Sequence, residues 1–371
     1  MLRVMAVTLA LSTLCEHPRR RTGLTTLFPE FVRHALAVFP EVNWVVLAGA
    51  GATWPVVDPR VEVVRDFPAN DRRVARLCAD HFLVAAAARA RGARGLFTVG
   101  FVPVRTAGLP VAMHVLSLHH RRPGGGVGAW YRRAAVARGL RCAAVVIANS
   151  RWTAAQLGAV GGRMVVSYEG VQHEIFSPTG ARGGGPPGLP PEYLLWAGNF
   201  YAYKRAELAL AAYARLAPAM RARFPLVLAG GDWAGGRARA EAAARALGVE
   251  REVRFLGWVE DAALPALYRG ARAQVLATAE ETFGRSVAEA MACGCPCVVQ
   301  DLPVLREVTG GAALFCDFAD TAAAGAALAA ICADDGLAAR LRREGVARAA
   351  DFRFEKLARE RVDSLLEAIG V

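Results

Sequence analysis

Short apolar runs rich in valine, leucine and alanine recur at 4–9, 44–48, 61–64, 95–99, 111–115, 144–148 and 164–166. Longer stretches between them, at 27–39, 74–90, 130–140 and 152–157, carry their apolar residues at helical spacing. After a break the pattern restarts, with runs at 193–197, 226–229, 253–256 and 273–277 and helical stretches at 206–217, 237–247 and 264–269. Runs without polar alternation read as strands buried on both faces. Strands alternating with helices predict an α/β fold with a doubly wound parallel sheet. In such a sheet the chemistry is expected in the loops at the C-terminal edge of the strands.

The break itself is PTGARGGGPPGLPP, dense in glycine and proline and without periodicity, as a linker should be. It divides the chain into a first domain at 1–177, a linker at 178–190 and a second domain at 191–351. Beyond these, 352–371 carries Phe354, Leu357, Val362, Leu365 and Leu366 at amphipathic spacing, a terminal helix expected to pack back toward the first domain. A length of 371 residues suits two such domains, and 54% hydrophobic against 21% charged residues suits globular cores that need no metal or disulfide.

Chemistry concentrates in residues 280–299, EETFGRSVAEAMACGCPCVV. A loop through Phe283, Gly284, Arg285 and Ser286 leads into a helix that ends at Gly294 before Pro296. Amides around Gly284 to Ser286 would open that helix, where the dipole favours an anion such as phosphate. Glu281 falls in the loop, and Glu289 is expected in the first helical turn. A second reading is open, because Ser286-x-x-Glu289 also has the form of a capping box. Cys293, Cys295 and Cys297 span a helix end and a strand start, so their sulfurs are not expected to converge on a metal. The eight cysteines lack disulfide-scaffold spacing and are expected as free thiols of a reducing compartment.

Charge changes the picture of the first half. Up to Pro178 there are 22 arginines against 10 acids, and after it 23 basic residues against 23 acids, so the whole net charge of +12 lies in the first domain. No acidic residue occurs between Asp80 and Glu169, while twelve arginines do. Such polarity suits an anionic partner or an acidic membrane surface. A nucleic-acid binder would also explain it, but aromatics are only 8% and no nucleic-acid motif interleaves with the arginines. The N-terminal string MLRVMAVTLALSTLC imitates a signal peptide, but its short apolar run leads directly to Arg19, Arg20 and Arg21 and reads better as a first buried strand. No stretch is long and apolar enough for a membrane span.

Several strand ends carry candidate groups. Only two lysines occur, and one, Lys204, follows the 193–197 strand within GNFYAYKR, with Arg205 beside it as a second cation. Gly230-Gly231 and Gly257-Trp258 close the next two strands and could frame a slot for a flat base. In the first domain His114 lies at the end of the 111–115 strand, with His119 and His120 nearby, and RRTGLT precedes a helix as a weak anion site.

From Gly198 to about Arg361 the chain resembles glycosyltransferase family 4, retaining enzymes of the two-lobed GT-B fold. The resemblance rests on the glycine-plus-lysine loop, on 226–232, on RFLGWVED with ALYRGA, and above all on ETFGRSVAEAMACGCPCVV with its glutamates eight apart. The first half matches more loosely, through Thr22-Gly23-Leu24, His114, the string VIANSRWT and Gly170-Val171. The resemblance implies two Rossmann-like domains facing across a cleft. It also implies transfer of a hexose from a nucleotide-diphosphate sugar, of GDP-mannose or UDP-hexose type, to an acceptor hydroxyl, with retention and no metal or other cofactor.

By position the resemblance makes Glu289 the ribose ligand and Glu281 the carboxylate beside the donor sugar. Lys204 becomes the diphosphate cation, and His114 the first-domain histidine near the transferred sugar. Gly23, Asn199, Arg205, Gly231, Phe283, Gly284, Arg285 and Ser286 complete the donor site. Asn199 stands where the family often has arginine. The implied setting is polysaccharide, lipopolysaccharide or glycolipid synthesis in the cytoplasm, at the inner face of the membrane where the acceptor is lipid-linked. A sugar-nucleotide epimerase or phosphorylase could share the architecture.

Overall fold

The computed structural model describes residues 6–16, 23–122, 124–180 and 188–371. They form two compact units, one made by the chain up to Gly170 together with Phe354–Val371, the other by Val171–Arg353. The change of unit falls ahead of the 178–190 stretch, of which 181–187 lies outside the described residues.

In the first unit seven parallel strands stand in the order β3-β2-β1-β4-β5-β6-β7. They are β1 (Val7–Ser12), β2 (Val42–Gly49), β3 (Val61–Phe67), β4 (Ala93–Val99), β5 (Val111–Val115), β6 (Val145–Ala148) and β7 (Arg163–Val166). Register pairs Leu9 with Trp44 and Leu96 with Val111. Because side chains alternate along a strand, Leu9, Leu11, Trp44 and Val46 join Phe28, Phe31 and Val32 of α1 (Gly23–Val38) in one core. Ala10, Val45 and Leu47 join a second core on the other face. That face is covered by α2 (Arg73–Phe82) and α3 (Val84–Ala90), through Ala79, Val84 and Ala88. The single helix expected over 74–90 is thus two, broken at Leu83 so that Val84, Ala85 and Ala88 turn onto the sheet. Two further helices, α4 (Val127–Cys142) and α5 (Arg151–Leu157), follow, the latter capped by Ser150, whose hydroxyl accepts from the Thr153 amide.

The second unit repeats the plan with six parallel strands in the order β10-β9-β8-β11-β12-β13. These are β8 (Tyr193–Ala197), β9 (Leu226–Ala229), β10 (Val253–Gly257), β11 (Ala271–Leu276), β12 (Cys297–Gln300) and β13 (Leu314–Cys316). Helices α6 (Ala206–Ala214), α7 (Pro218–Arg223), α8 (Gly236–Ala246) and α9 (Leu264–Gly270) connect the earlier strands. α10 (Arg285–Ala292), α11 (Pro303–Thr309), α12 (Thr321–Ala333) and α13 (Asp335–Ala349) follow. Leu194, Trp196 and Leu228 pack on Tyr213, Phe318 and Leu328. In each sheet the strand order reverses beside the unit's first strand, which opens a crevice between the loops following β1 and β4, and between those following β8 and β11. No single helix among the described residues is long and apolar enough to cross a membrane.

The terminal helix α14 (Phe354–Ala368) completes the first unit's core with Phe354, Leu357, Val362 and Leu365. Two glycines make room for it. A Cβ on Gly170 would lie 2.6 Å from the Phe354 ring, and one on Gly95 would lie 2.9 Å from Leu365. The helix also brings in Arg361, fully buried, which donates to the Ser167 carbonyl at 3.3 Å and to Glu169 at 3.4 Å. Burial pulls this guanidinium below its ordinary pKa, and the Glu169 carboxylate offsets that pull. Phe354→Ala should therefore destabilise the first unit by about 3–5 kcal/mol, read as an earlier unfolding transition in urea. A variant that melts like the wild type would show that α14 is not part of that core.

Candidate active site

The loops after β8, β9 and β11 are tied together by their backbones. Gly230, at φ +155°, lies so close to the loop after β8 that a Cβ would fall 1.8 Å from the Gly198 carbonyl oxygen. Only glycine permits that approach. The Asn199 side-chain oxygen accepts from the Gly231 amide at 3.0 Å, and the Phe200 amide donates to the Gly231 carbonyl at 3.0 Å. The loop after β11 joins the same group through Tyr203. Its carbonyl accepts from the Ala279 amide at 2.7 Å and from the Thr278 hydroxyl at 3.3 Å. These bonds set Lys204 beside Glu281, with Nζ donating to Oε1 at 2.5 Å and the two side chains only 15% and 11% exposed. Seventy-seven positions separate the pair in sequence.

One loop further, Gly284 caps α10 from the left-handed region, φ +93°, where a Cβ would meet Leu305 at 2.7 Å. Phe283 is buried edge-on against Phe352, ring centres 5.2 Å apart, and so anchors the loop. The capping box does not form. Gly284, not Ser286, is the cap residue, and Glu289 lies beyond the first turn with both carboxylate oxygens engaged elsewhere. Arg285 Nε donates to one of them at 2.9 Å, and the Tyr268 hydroxyl donates to the other at 3.4 Å. Burial raises the Glu289 pKa above the ordinary carboxyl value, and Arg285 opposes the rise. Among the described residues no side-chain hydrogen bond caps α10. The buried Ser286 hydroxyl likewise has no hydrogen-bond partner among the described residues. A helix start of this kind, with its dipole, favours an anion.

The remaining second-unit candidates are more dispersed. Arg205 turns the chain into α6 at φ +47°. Its charge reaches Asp317, whose pKa is held down chiefly by Gln300 and the Ala319 amide. Gly231 lies against the Trp258 indole, where a Cβ would be 3.5 Å from the ring, and Tyr201 stacks on Tyr203 at 5.4 Å. Cys293, Cys295 and Cys297 are buried free thiols. Burial pushes Cys293 and Cys295 up to about 12, and Cys297 donates weakly to the Cys295 carbonyl at 3.5 Å. Thr278, Tyr203 and Tyr268 support the site without having stood out in the sequence.

In the first unit Gly23 opens α1, and Arg20, Arg21 and Thr22 lie outside the described residues. His119 and His120 fall in a single 3-10 turn. His114, on β5 between Val99 and Ile147, is fully buried, its ring stacked on Phe28 at 5.9 Å and edge-on to Phe31 at 6.1 Å. Neither ring nitrogen has a hydrogen-bond partner among the described residues. Burial lowers its pKa well below the ordinary value, and the Arg361 charge adds to the effect. The folded protein thus holds a neutral imidazole, while the unfolded chain takes up a proton below about pH 6.5. Stability should fall as pH drops from about 6.5 to 5, by up to ~1.4 kcal/mol per unit from this residue alone. Denaturant titrations of His114→Gln should show a correspondingly flatter dependence. Parallel curves would mean that His114 is not held neutral.

Comparison with known proteins supplies the context for this geometry. Residues 186–348 match the family model described as Glycosyl transferases group 1. The O-antigen chain mannosyltransferase B of Escherichia coli is 32% identical over 172 residues, 46% of this chain and 45% of that protein. The match thus spans about half the length of the curated relative. Sucrose-phosphate synthase from Thermosynechococcus elongatus superimposes with a TM-score of 0.79 at 20% identity, covering 95% of this chain and 96% of that one. Anabaena HepE, in complex with UDP and glucose, gives 0.76 at 18% identity, covering 97% and 100%. The chain has the GT-B fold of these structures, and the residues that match the glycosyl transferases group 1 model hold the Lys204–Glu281 pair and the start of α10.

Proposed function

We propose that the protein is a retaining glycosyltransferase of the family 4 type, moving a hexose from a nucleotide-diphosphate sugar to an acceptor hydroxyl. The observation that carries this reading is the mostly buried Lys204–Glu281 pair, in the same stitched loops that lead into an α10 start with no side-chain cap and a Ser286 hydroxyl that has no partner among the described residues. The group 1 family match over 186–348 supports it, as does the UDP and glucose held by HepE on the same fold.

In this reading the donor diphosphate binds at the α10 amides and Ser286, and draws Lys204 away from Glu281. The two exchanges belong together. Lys204 gains a doubly charged partner, and Glu281 is released to accept hydrogen bonds from the hydroxyls of the donor sugar. Glu289 takes the ribose hydroxyls, with Arg285 and Tyr268 holding its carboxylate in place. Asn199, Gly231 and Phe283 keep the loops in register, and Arg205 adds positive potential. His114 contributes as a neutral imidazole in the first domain, and Gly23 opens a helix there.

Breaking the anomeric bond develops negative charge on the leaving diphosphate, and preorganised cations and amides stabilise it where it forms. The acceptor proton passes to the leaving phosphate oxygen as the new glycosidic bond forms on the same face. The reading assigns the positive charge at the diphosphate to Lys204 and Arg205, without a metal or other cofactor. The free thiols support a reducing, cytoplasmic setting.

Lys204→Ala should lower sugar transfer by about 10²-fold or more, while the protein stays folded in the absence of donor, with a lower melting temperature because Glu281 loses its partner. A screen of UDP- and GDP-sugars by thermal shift identifies the donor, since a bound ligand stabilises the fold. Near-normal transfer by the Lys204→Ala protein would remove the basis of the assignment.

A further inference from the structure

Five of the large apolar side chains exposed in this protein gather on one surface of the first unit, and arginines surround them. Val127 and Trp130, 83% and 65% exposed, stand on the outward side of α4. At 3.6 residues per turn they share that side with Arg133, Ala134, Ala137 and Arg141. Phe82 and Leu83 are exposed at the α2–α3 break, and Val104 is exposed in the loop after β4.

Hydrogen bonds show that these segments are neighbours. His81, next to Phe82, bonds through Nε2 to the hydroxyl of Tyr131 on α4 at 2.6 Å. Arg138 of α4 donates to the Pro103 carbonyl at 3.0 Å and the Val104 carbonyl at 3.3 Å. The Arg105 amide donates to the His81 carbonyl at 3.0 Å, and its guanidinium lies 5.8 Å from the centre of the Phe82 ring. The surface is therefore continuous, and it falls wholly within the stretch between Asp80 and Glu169 that contains no carboxylate.

A soluble surface normally mixes both signs of charge and scatters its large apolar groups singly. Here the apolar groups cluster and the charge has one sign. Backbone carbonyls satisfy some of the guanidinium N–H groups, as at Arg138, but they do not cancel the positive charge. Aromatic and aliphatic side chains that reach a few ångströms into the headgroup region, ringed by arginines that meet anionic headgroups, are what binds a protein in the plane of a bilayer surface. We propose that this face, centred on Trp130 and Val127 of α4 and completed by Phe82, Leu83 and Val104, docks on an anionic lipid bilayer. The inference deepens the reading of the protein as a transferase, since it brings the enzyme to a lipid-linked acceptor, but the binding does not depend on catalysis.

The test is sedimentation of the full chain with phosphatidylcholine vesicles with and without phosphatidylglycerol, across a salt series. Binding should require the anionic lipid and weaken with salt. Trp130→Ser with Val127→Ser should lower the partition coefficient on the order of tenfold or more. Arg133→Gln with Arg141→Gln should lower it by about fivefold per arginine and flatten the salt dependence. Both pairs of substitutions should leave the melting temperature and transfer to a short soluble acceptor unchanged. Absence of vesicle binding would overturn the proposal. So would binding that the arginine substitutions weaken but the Trp130 and Val127 substitutions leave intact, because the surface would then be an electrostatic site for acidic protein or polyanion. Loss of transfer by the wild type to every soluble acceptor, with vesicle binding retained, would count against the transferase reading and leave the membrane face standing.

Discussion

The ion pair between Lys204 and Glu281 is the contact on which the second domain's site depends. Holding two charges mostly out of water costs several kcal/mol per ion, and the Coulomb attraction recovers that cost only when the geometry is fixed in advance. Neither side chain fixes it. The geometry comes from the Tyr203 carbonyl, which accepts from both Ala279 and Thr278, and from the contact of Gly230 with Gly198 that no other residue would permit. The loops are thus held by backbone bonds of the sheet edge, and the charges ride on them. A rigid scaffold that presents an ammonium with a replaceable partner is well suited to a ligand that arrives already doubly charged.

The start of α10 follows the same logic from the other direction. A helix normally recruits a serine, threonine or aspartate to satisfy its first amides, as Ser150, Asp320 and Asp334 do for three other helices of this chain. At α10 the cap residue is glycine, and the Ser286 hydroxyl lies inside the helix with no hydrogen-bond partner among the described residues. Glu289, which sequence spacing would use as the reciprocal cap, is held instead by Arg285 and Tyr268. A helix start without a side-chain cap forgoes the stability that a cap supplies, and here that happens at a helix start whose dipole favours an anion.

Most of the fold was legible in the sequence because parallel strands buried on both faces must be apolar throughout, and such runs stand out between helices. What was not legible has a common cause. The break at Leu83, the burial of Arg361 against Glu169 and the pairing of Lys204 with Glu281 are all decided by contacts between segments far apart in the chain. The capping-box alternative for Ser286 and Glu289, which local spacing left open, fails for a related reason: the Glu289 carboxylate is held by Arg285 and by Tyr268, the latter twenty-one positions away. The site residues named from motif position lie largely in the loops the parallel sheet predicts, but which of them touch could not be read without the register of β8, β9 and β11.

The uneven charge of the chain also takes on a definite meaning once positions are known. Some of the first domain's arginines are structural: Arg361 is buried in the core, Arg76 pairs with the buried Asp80, and Arg60 closes on Asp58. Each of these has a carboxylate close by, so together they add little to the field outside the protein. The excess comes from the stretch after Asp80, where arginines such as Arg89, Arg121 and Arg138 find backbone carbonyls or a glutamine. Carbonyl partners orient a guanidinium without neutralising it, so those residues are both fixed in place and fully charged. An arginine-rich composition alone would have scattered such groups over both domains, but the second domain balances its charge residue for residue. The imbalance is therefore a property of the first domain, and part of it, through Arg105 and the α4 arginines Arg133, Arg138 and Arg141, lies on the face where Trp130, Val127 and Phe82 are exposed.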